Sequence, residues 1–560
     1  MTAAPTPRTS TPTDAIADAF VDTIAGLSPI AATSMGITGH DHLLDDFSPA
    51  GDQARVAAAR KVLADLADVD PVDDIDRITQ SAMRERQGLL IELAEANEHL
   101  ADLNVIASPV QGIREVFDLM PTDTATDWET IAERMHAVPA AVDGYIESLR
   151  LAASRGLVAA IRQVEECVKE ADDLAGDASF WTTFATGATP DGVAPASTLA
   201  GHLADGAEQA RTAYGTLASA LRELSEQAPE DDAVGRERYA RFSRRFLGAA
   251  IDLDETYEWG LAELARIVAE QEHVAAQIGG PGTAIRDAMA TLSADPARKL
   301  HGTDALREWM QTTSDAALDA LADTQFDIPE PVRRLECRIA PTQSGGIYYT
   351  GPSEDFSRPG RMWWSVPAGV TEFDTWVEKT TVYHEGVPGH HLQVGQTVYR
   401  SALLNRWRRM ACWVSGHGEG WALYAERLMA DLGFLDDPGD RMGMLDGQRL
   451  RAARVVIDLG VHLGKPCPDE WGGGIWNAEK AWPFLTANAN MAEGFLRFEL
   501  NRYLGWPGQA PAYKVGQRLW EQIRDETAAR EGADFDLKAF HRRALDVGSV
   551  GLDTLREALA

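Results

Sequence analysis

The chain has 560 residues, 45% of them apolar, and this length and composition predict a folded globular protein with a large buried core. Its 86 acidic residues outnumber 52 basic ones, which gives a formal net charge of -34 at pH 7. A polyanionic partner needs lysine or arginine at each phosphate contact, so this charge argues against nucleic acid and against an anionic membrane as partners.

The first residues predict a disordered tail. Residues 1–13 are rich in proline, threonine and alanine and contain no apolar stretch typical of a secretion signal. No run of about 18 apolar residues occurs in the sequence, so no membrane-spanning helix is expected. The four cysteines lie far apart without a Cys-x-x-Cys pair, which argues against a disulfide framework and a thiolate zinc site: Cys167, Cys337, Cys412 and Cys467. We therefore expect a cytoplasmic protein.

Apolar residues recur at three- and four-residue spacing through residues 14–330, which predicts a mainly helical N-terminal region. β-Branched and aromatic residues between glycines and prolines then predict a small sheet, before helices resume at "TEFDTWVEKTTVYHEG". Residues 331–560 should therefore hold a small sheet and a second helical region. The expected fold class is mainly α, a large helical body with a small β-sheet insert, forming one continuous body with a cleft.

A histidine cluster occurs in "TVYHEGVPGHHLQVG", residues 381–395. The zinc helix of many peptidases reads His-Glu-x-x-His, but the residue four positions after His384 is Pro388. On an unbroken helix His390 would lie on the opposite side from His384, about 9 Å along the axis. His391 would return to the same side but lie roughly 10.5 Å away, whereas zinc needs both nitrogens at about 2.0 to 2.1 Å. Neither histidine could then share one metal ion with His384.

The residues between the histidines predict a break in this helix. Pro388 would clash with the carbonyl of the residue four positions before it, and it stands between Gly386 and Gly389. If the first helix ends near Glu385 and the next begins near Pro388, the chain loops out by two residues. His390 then reaches the place of the second ligand.

The segment "SGHGEGWALYAERL" on the next predicted helix offers a third ligand, Glu419. Two imidazoles and a carboxylate form a hydrolytic zinc set with one open position for water. We therefore expect His384, His390 and Glu419 to bind Zn²⁺. Glu385 is expected to act as the base that takes a proton from the water.

Three nearby side chains are secondary candidates. Glu426 follows Glu419 by seven residues and so lies on the same helix face. His417 is a further candidate ligand or a partner of the ligands. His391 is expected to be a structural residue.

Four ordered motifs carry a family resemblance: "HEGVPGHHLQ", "EGWALYAERL", "AARVVIDLGVHLG" and "RYLGWPGQAPAYKVG". With them the chain resembles the bacterial domain-of-unknown-function family 885 over nearly its whole length. That family is similar to the zinc peptidases whose third ligand is a glutamate, the gluzincins, in which a substrate-binding strand precedes the His-Glu helix. The resemblance implies a zincin-like catalytic region with the ligands and the base named above.

The resemblance also implies that a C-terminal tyrosine hydroxyl stabilises the oxyanion formed in peptide hydrolysis. Tyr503 and Tyr513, on either side of "PGQA", are both candidates. His462 is a further candidate oxyanion donor, because it follows Arg454 and Asp458 at four-residue spacing and Asp458 would orient it. A stripe of salt bridges on an amphipathic helix explains Arg454 and Asp458 equally well.

Small peptides are the expected substrates. Three arginines are candidates for holding a substrate carboxylate by a bidentate contact, Arg358, Arg454 and Arg502. The expected function is that of a zinc-dependent peptidase acting as a carboxypeptidase, dipeptidase or oligopeptidase. Two alternatives stay open: a metal-dependent hydrolase of another amide or ester, and an inactive helical peptide-binding protein whose inserted residues have dismantled the metal site.

Overall fold

The computed structural model describes residues 7–341 and 346–560. Its helices up to residue 330 are α1 (Pro12–Leu27), α2 (Pro29–Ser34), α3 (Pro49–Ala67), α4 (Asp74–Glu95), α5 (Pro109–Glu115), α6 (Ala125–Ser154), α7 (Ile161–Ala175), α8 (Phe180–Thr186), α9 (Ser197–Ser225), α10 (Arg236–Leu247), α11 (Leu253–Gly279), α12 (Ile285–Ala294) and α13 (Thr303–Leu321). Those that follow are α14 (Thr375–Glu385), α15 (His390–Tyr399), α16 (Ser415–Asp431), α17 (Pro438–His462), α18 (Ala478–Asn488), α19 (Glu493–Gly505), α20 (Ala512–Glu531), α21 (Leu537–Val547) and α22 (Leu552–Ala558). The fold class is mainly α, as predicted. None of the helices in these ranges is long and apolar enough to cross a membrane.

Short strands form two small sheets in the described residues: β1 (Lys299–His301), β2 (Leu335–Ile339), β3 (Ile347–Thr350), β4 (Gly360–Trp364) and β5 (Glu372–Asp374). β4 lies between β2 and β3, parallel to β2 and antiparallel to β3, and this sheet is the predicted insert. β1 and β5 form a second, antiparallel sheet. The sequence analysis missed it, because three-residue strands are too short to show alternation.

Helix α1 begins within the segment that was predicted to be a disordered tail. Residues 1–6 lie outside the described residues, whereas α1 already begins at Pro12. Thr11 and Asp14 form a capping box, in which each side chain accepts a hydrogen bond from the backbone amide of the other residue. Arg8 also forms an ion pair with Asp14 at 2.6 Å. The prediction of disorder through residue 13 is therefore wrong for this part, because these contacts fix the segment to α1.

Two large hydrophobic cores divide the chain differently from the predicted boundary at residue 330. Buried residues from Leu103 to Leu224, most of them on α5 to α9, form one core. The other core joins the first helices, from Ala17, to buried residues as far as Leu559. The predicted N-terminal region is therefore not a unit of its own, since α1, α3, α4 and α10 to α13 pack with the C-terminal helices.

The first residues of α14 and α17 are joined through the β1–β5 sheet. Lys299 of β1 pairs with Asp374, just before α14, at 2.8 Å. The preceding residue, Arg298, pairs with Asp437, just before α17, also at 2.8 Å. The two helices therefore start together and run in the same direction.

α14 and α17 touch at a glycine. A Cβ at Gly443 of α17 would lie 1.9 Å from the carbonyl oxygen of Trp376 of α14, so a side chain here would separate the helices. Both helices rise about 1.5 Å per residue, and eight residues beyond this contact His384 and Arg451 therefore lie level with each other.

α16 and α20 cross with their backbones in contact. A Cβ at Gly420 would lie 2.4 Å from the carbonyl carbon of Gly516, and one at Gly516 would lie 2.3 Å from the carbonyl oxygen of Gly416. The close approach brings Glu419, next to Gly420, near Tyr513, which lies one turn before Gly516. The two side chains are close enough for the charge of Glu419 to raise the pKa of the Tyr513 hydroxyl, second only to burial.

Candidate metal centre

The chain breaks between α14 and α15, as the sequence predicts. α14 ends at Glu385, and α15 begins at His390, two residues later than expected. Across the break, the amide of Gly389 donates a 3.0 Å hydrogen bond to the carbonyl of Tyr383, six residues before it. A Cβ at Gly389 would lie 1.9 Å from the carbonyl oxygen of His384, so this path of the chain requires glycine.

Trp421 of α16 holds the looped-out segment in place. Its Nε1 donates a 2.9 Å hydrogen bond to the carbonyl of Pro388, and its side chain is fully buried. The second sequence motif, "EGWALYAERL", therefore contributes both a candidate ligand and the residue that fixes the loop of the first motif.

The break brings together the three predicted ligands, His384, His390 and Glu419. One donor atom of each residue lies within 4.8 Å of the other two. Nε2 of His384 is 3.3 Å, and Nε2 of His390 3.7 Å, from Oε2 of Glu419. Within the described residues, this buried oxygen completes no hydrogen bond. Buried polar atoms normally have a partner, so the arrangement fits a cation held between two imidazoles and a carboxylate, the donor set that zinc prefers.

A carboxylate behind His384 orients its ring. Nδ1 of His384 lies 2.7 Å from Oε1 of Glu426, whose Oε2 accepts a 2.8 Å hydrogen bond from Thr380. Histidines that bind metals are commonly fixed in this way on the nitrogen that faces away from the ion. The seven-residue spacing from Glu419 pointed to Glu426 in the sequence, whereas nothing there pointed to Thr380.

Two carboxylates stabilise the charged form of His384. Burial lowers the pKa of His384, but contacts with Glu419 and Glu426 outweigh burial and raise the pKa to about 10. Burial raises the pKa of Glu419, but His384 and His390 hold it well below its usual value. A metal ion bound by His384 must therefore displace a proton.

Glu385 lies beside the ligands with an unbonded carboxylate. The residue is 7% exposed and accepts no side-chain hydrogen bond from the described residues. Burial raises its carboxyl pKa, although His390 and His384 oppose the shift. A carboxylate with a raised pKa is a stronger proton acceptor, as the predicted base requires.

The two candidate tyrosines differ in their partners. Tyr503 is fully buried, and its hydroxyl bonds to Glu499 and, at 2.9 Å, to Nε of Arg454. Tyr513 is partly exposed, and its hydroxyl has no hydrogen-bond partner in the described part of the chain. The guanidinium of Arg454 lies 5.0 Å from the centre of the Tyr513 ring. Of the two hydroxyls, that of Tyr513 is the available one.

Arg454 and Arg502, two of the arginines predicted to bind substrate, are already paired. Arg454 binds Oε2 of Glu499 at 2.7 Å, and Arg502 binds Oε1 of the same carboxylate at 2.9 Å. Nε and Nη2 of Arg502 also donate to Gln509. Both arginines are buried and lie under the ring of Tyr513. This packing indicates that they position the tyrosine.

His462 lies at the end of α17, among core residues. Its Nε2 is 2.9 Å from the carbonyl oxygen of Tyr503, its ring packs against Tyr239, and burial lowers its pKa to about 4. Asp458 accepts hydrogen bonds from Tyr239 at 2.8 Å and from the amide of Gly508 at 2.9 Å. The prediction that Asp458 orients His462 is therefore wrong. Nε2 of His462 is engaged by a main-chain carbonyl and is not free for an oxyanion.

Arg358, the third arginine predicted to bind substrate, lies beside β3. Among the described residues, its Nη1 bonds only to the carbonyl of Pro359, at 3.4 Å. Burial raises the pKa of Tyr349 on β3, and the nearby charge of Arg358 opposes that shift. Arg358 stays a candidate on the strand side of the centre.

Two further histidines lie outside the ligand cluster. Nε2 of His391 is 2.7 Å from the carbonyl oxygen of Val332, and its Nδ1 is 2.9 Å from the hydroxyl of Tyr349, so this residue is structural, as predicted. His417 packs against Trp520. Among the described residues, it is not part of the group that can hold a metal.

Arg451 was missed in the sequence. It lies one turn before Arg454 and level with His384. Burial raises the pKa of Glu426, but His384 and Arg451 bring it below its usual value. Nothing in the sequence pointed to Arg451, because Arg451 does not belong to the stripe of residues at four-residue spacing that begins at Arg454.

The fold and the cluster define a mainly helical protein with a small sheet and a buried His-His-Glu centre at a helix break. The chain belongs to the family described as "Bacterial protein of unknown function (DUF885)", which it matches over residues 29–559. None of the curated proteins matches the chain.

Solved structures share this fold. The crystal structure of a "putative lipoprotein" from Colwellia psychrerythraea is similar with a TM-score of 0.82 and 22% identity, over 98% of each chain. The structure of a "putative lipoprotein of unknown function" from Shewanella oneidensis is similar with a TM-score of 0.73 and 16% identity, over 98% of this chain and 99% of that one. At these identities the likeness shows the fold alone.

Proposed function

We propose that the protein is a zinc-dependent peptidase with a zincin-like catalytic region. The supporting observation is the convergence of His384, His390 and Glu419, with the unbonded carboxylate of Glu385 beside them. Two imidazoles and one carboxylate form the ligand set of many hydrolytic zinc sites. An adjacent carboxylate that is not a ligand can serve as the base of this chemistry.

The protein residues have separate tasks in the proposed mechanism. Zinc held by the three ligands would supply Lewis-acid activation of a water molecule and of the scissile carbonyl. Glu385 accepts a proton from the attacking water and passes it to the leaving amine. The hydroxyl of Tyr513 donates a hydrogen bond to the developing oxyanion. Glu426 holds the ring of His384 so that Nε2 faces the ligands.

The free edge of β3 supports a peptide as the substrate. β3 pairs with β4 along one edge, and within the described residues no strand pairs with its other edge. The hydroxyl of Tyr349 on β3 lies 2.9 Å from Nδ1 of His391, the residue after the ligand His390, which joins the strand to the metal centre. An extended peptide can bind such an edge through main-chain hydrogen bonds.

Zinc content and peptide hydrolysis in two variants test the proposal. After reconstitution and dialysis, wild-type protein should retain zinc, measured by elemental analysis, and should cleave members of a small-peptide library. Glu419→Gln should lose the zinc. Glu385→Gln should keep the zinc and lose about 10² to 10⁴-fold in rate, the usual contribution of a general base.

A matched control and two outcomes complete this test. Glu479→Gln, on the exposed surface of α18, removes the same charge and should change neither quantity. Wild-type protein that retains no zinc would contradict the proposal and favour an inactive peptide-binding protein. Zinc-loaded protein that cleaves other amides or esters but no peptides would favour the other alternative.

The cellular location stays a prediction. The sequence analysis expects the cytoplasm, whereas the name lipoprotein, which both similar structures carry, would suggest a lipid-anchored protein if it held for this chain. Fractionation of cells that express the full-length gene product distinguishes the two, because an anchored protein sediments with membranes.

A further inference from the structure

Arg451 lies near carboxylates, among them Glu426, but bonds directly to none of them in the described residues. Among the described residues it forms neither an ion pair nor a hydrogen bond, and its Nε is buried. Arg449, two residues before it, donates to Asn488, to Gln271 and to the carbonyl of Ala487. The charge of Arg451 acts on Glu426 and Glu385 from a distance. Its partly buried guanidinium nevertheless lacks an acceptor for its N–H donors in the described residues, which costs hydration. This cost points to a partner from outside the chain.

Arg451 lies level with His384, so a partner from outside the chain would bind it at the candidate metal centre. Arg451 follows Gly443 by eight residues, as His384 follows Trp376, and the two parallel helices touch at Gly443 and Trp376. The guanidinium folds back over Gly447, where a Cβ would lie 2.7 Å from Nη1. The lack of a side chain at residue 447 leaves this space to the guanidinium.

Arg451 lies on the accessible side of the centre. It is partly exposed, like Tyr513 and like Glu419, whose side chain is 19% exposed, whereas His384 is buried. Burial and Glu419 raise the pKa of the Tyr513 hydroxyl, and the charge of Arg451 opposes this shift. Glu419, Tyr513 and Arg451 therefore lie near one another, and each of them is partly exposed.

The three arginines predicted from the sequence are less able than Arg451 to bind a substrate carboxylate beside the candidate ligands. Arg454 and Arg502 share the carboxylate of Glu499 and are buried under Tyr513. Arg358 lies beside β3. Arg451 alone among these four has no bond in the described residues and lies level with the ligands.

We propose that Arg451 binds the C-terminal carboxylate of the peptide substrate, so that the protein acts at the C-terminal end of short peptides, as a carboxypeptidase or dipeptidase. This inference rests on the proposed function. A guanidinium presents a planar fork of donors that matches a carboxylate. With a net charge of -34 the protein repels anions in general, so a carboxylate at this centre needs an unpaired cation there.

Peptide binding to zinc-loaded Glu385→Gln protein tests the inference without turnover. The probes are tri-alanine and tri-alanine amide, with the amide of Ala-Ala-Glu as a third peptide that carries its carboxylate on a side chain. Isothermal calorimetry should show tri-alanine binding at least about tenfold tighter than its amide, the effect of one charge-assisted contact. Adding Arg451→Gln should abolish this preference, and adding Arg451→Lys should keep part of it.

Arg441→Gln is the matched control. It removes the same charge from α17 ten residues earlier, about 15 Å along the axis, where Arg441 faces Glu270 at 3.8 Å. This variant should keep the preference for tri-alanine. Thermal melting checks that each variant is folded, and in the described part of the chain Arg451 forms no hydrogen bond or ion pair that a variant would lose.

The outcomes separate this inference from the proposed function. Zinc content is measured first, and protein without zinc contradicts the proposed function. Zinc-loaded protein that binds tri-alanine and its amide equally, that binds neither, or that keeps the preference in Arg451→Gln overturns the role of Arg451. Tighter binding of the Ala-Ala-Glu amide than of tri-alanine also overturns it, because the carboxylate recognised would then belong to a side chain.

Discussion

The hydroxyl groups of Tyr503 and Tyr513 have different surroundings, which leads to a first prediction. Tyr513→Phe should lower kcat of peptide hydrolysis by about 10² to 10³-fold, the usual cost of losing one oxyanion donor. Zinc content and melting temperature should stay unchanged, because the Tyr513 hydroxyl has no bond to lose in the described residues. Steady-state kinetics on zinc-loaded protein measures the change.

Tyr503→Phe is the matched control for this prediction. Its hydroxyl bonds to Glu499 and Arg454 in the core, so the variant leaves two charged groups with one bond fewer. We expect a loss of about 1 to 3 kcal/mol in the free energy of unfolding, measured with denaturant, and a smaller effect on kcat. Loss of activity in a fully stable Tyr503→Phe, together with full activity in Tyr513→Phe, would show that Tyr503 and not Tyr513 is the oxyanion donor.

The buried carboxyl group of Asp458 predicts a pH dependence of stability. Burial raises its pKa from 3.8 to about 7, although hydrogen bonds from Gly508 and Tyr239 oppose the shift. The folded protein therefore holds this proton more tightly than the unfolded chain, and its contribution to stability falls as pH rises from about 4 to about 7. The slope from one such group is at most about 1.4 kcal/mol per pH unit.

Asp458→Asn tests this dependence, because asparagine cannot ionise and its Oδ1 can still accept the two hydrogen bonds. The difference in unfolding free energy between wild type and variant should shift in favour of the variant across that pH range. Other titrating groups are common to both proteins and cancel in the difference. A difference that does not change with pH would show that Asp458 is not the group responsible.

Among single residues, the convergence of three side chains at the candidate metal centre could be predicted from the sequence, but which side chains around them stay unbonded in the described residues could not. His384, His390 and Glu419 are marked by residue type and spacing along one or two helices. The availability of Tyr513 and of Arg451 depends instead on which partners other helices supply. Arg454 looks as available as Arg451 in the sequence, yet tertiary packing pairs Arg454 with Glu499, whereas Arg451 forms no hydrogen bond or ion pair with the residues that the structure describes.

At the scale of elements, the break between α14 and α15 depends on one glycine. In Gly389→Ala the new methyl group would overlap the carbonyl oxygen of His384, 1.9 Å away, so the loop must move. We expect a loss of about 1 to 3 kcal/mol in stability, as for other overpacked sites, and a marked loss of zinc affinity because His390 shifts. Competition with a zinc chelator measures the affinity.

Gly88→Ala, in the interior of α4, is the control for this prediction. A Cβ there would meet no atom within 4 Å, so the change should be neutral or slightly stabilising and should leave zinc affinity unchanged. Equal zinc affinities of Gly389→Ala and wild type would show that the centre does not depend on the path of the chain through residue 389.

An element could be predicted where neighbouring residues in the sequence determine it, and could not be predicted where distant residues do. The helix break could be predicted because Pro388 and its flanking glycines act on the adjacent backbone. The start of α1 was missed, because the capping box of Thr11 lies inside a segment whose composition resembles disorder. The parallel packing of α14 and α17 depends on Gly443 meeting Trp376, a contact between residues far apart in sequence.

In the whole molecule, the candidate metal centre lies within the larger of the two cores. That core joins helices from both ends of the chain, and the helices that carry the ligands, α14, α15 and α16, pack inside it. The second core, from Leu103 to Leu224, contains none of the ligands. A boundary at residue 330 therefore divides one hydrophobic core, because chain order does not indicate which helices share a core.

Zinc should stabilise the whole protein, because the proposed site joins residues of three helices of this core in the folded state and the unfolded chain lacks the assembled site. At a free zinc concentration 100 times Kd, mass action adds about 2.7 kcal/mol, which for a chain of this length corresponds to a rise of about 2 °C in Tm. Scanning calorimetry with zinc and with a chelator measures the shift. Glu419→Gln should lose the shift, Glu385→Gln should retain it, and magnesium, which prefers oxygen ligands, should not replace zinc. An equal Tm of wild type with and without zinc would contradict the site, since a metal bound by these three helices cannot leave the folding equilibrium unchanged.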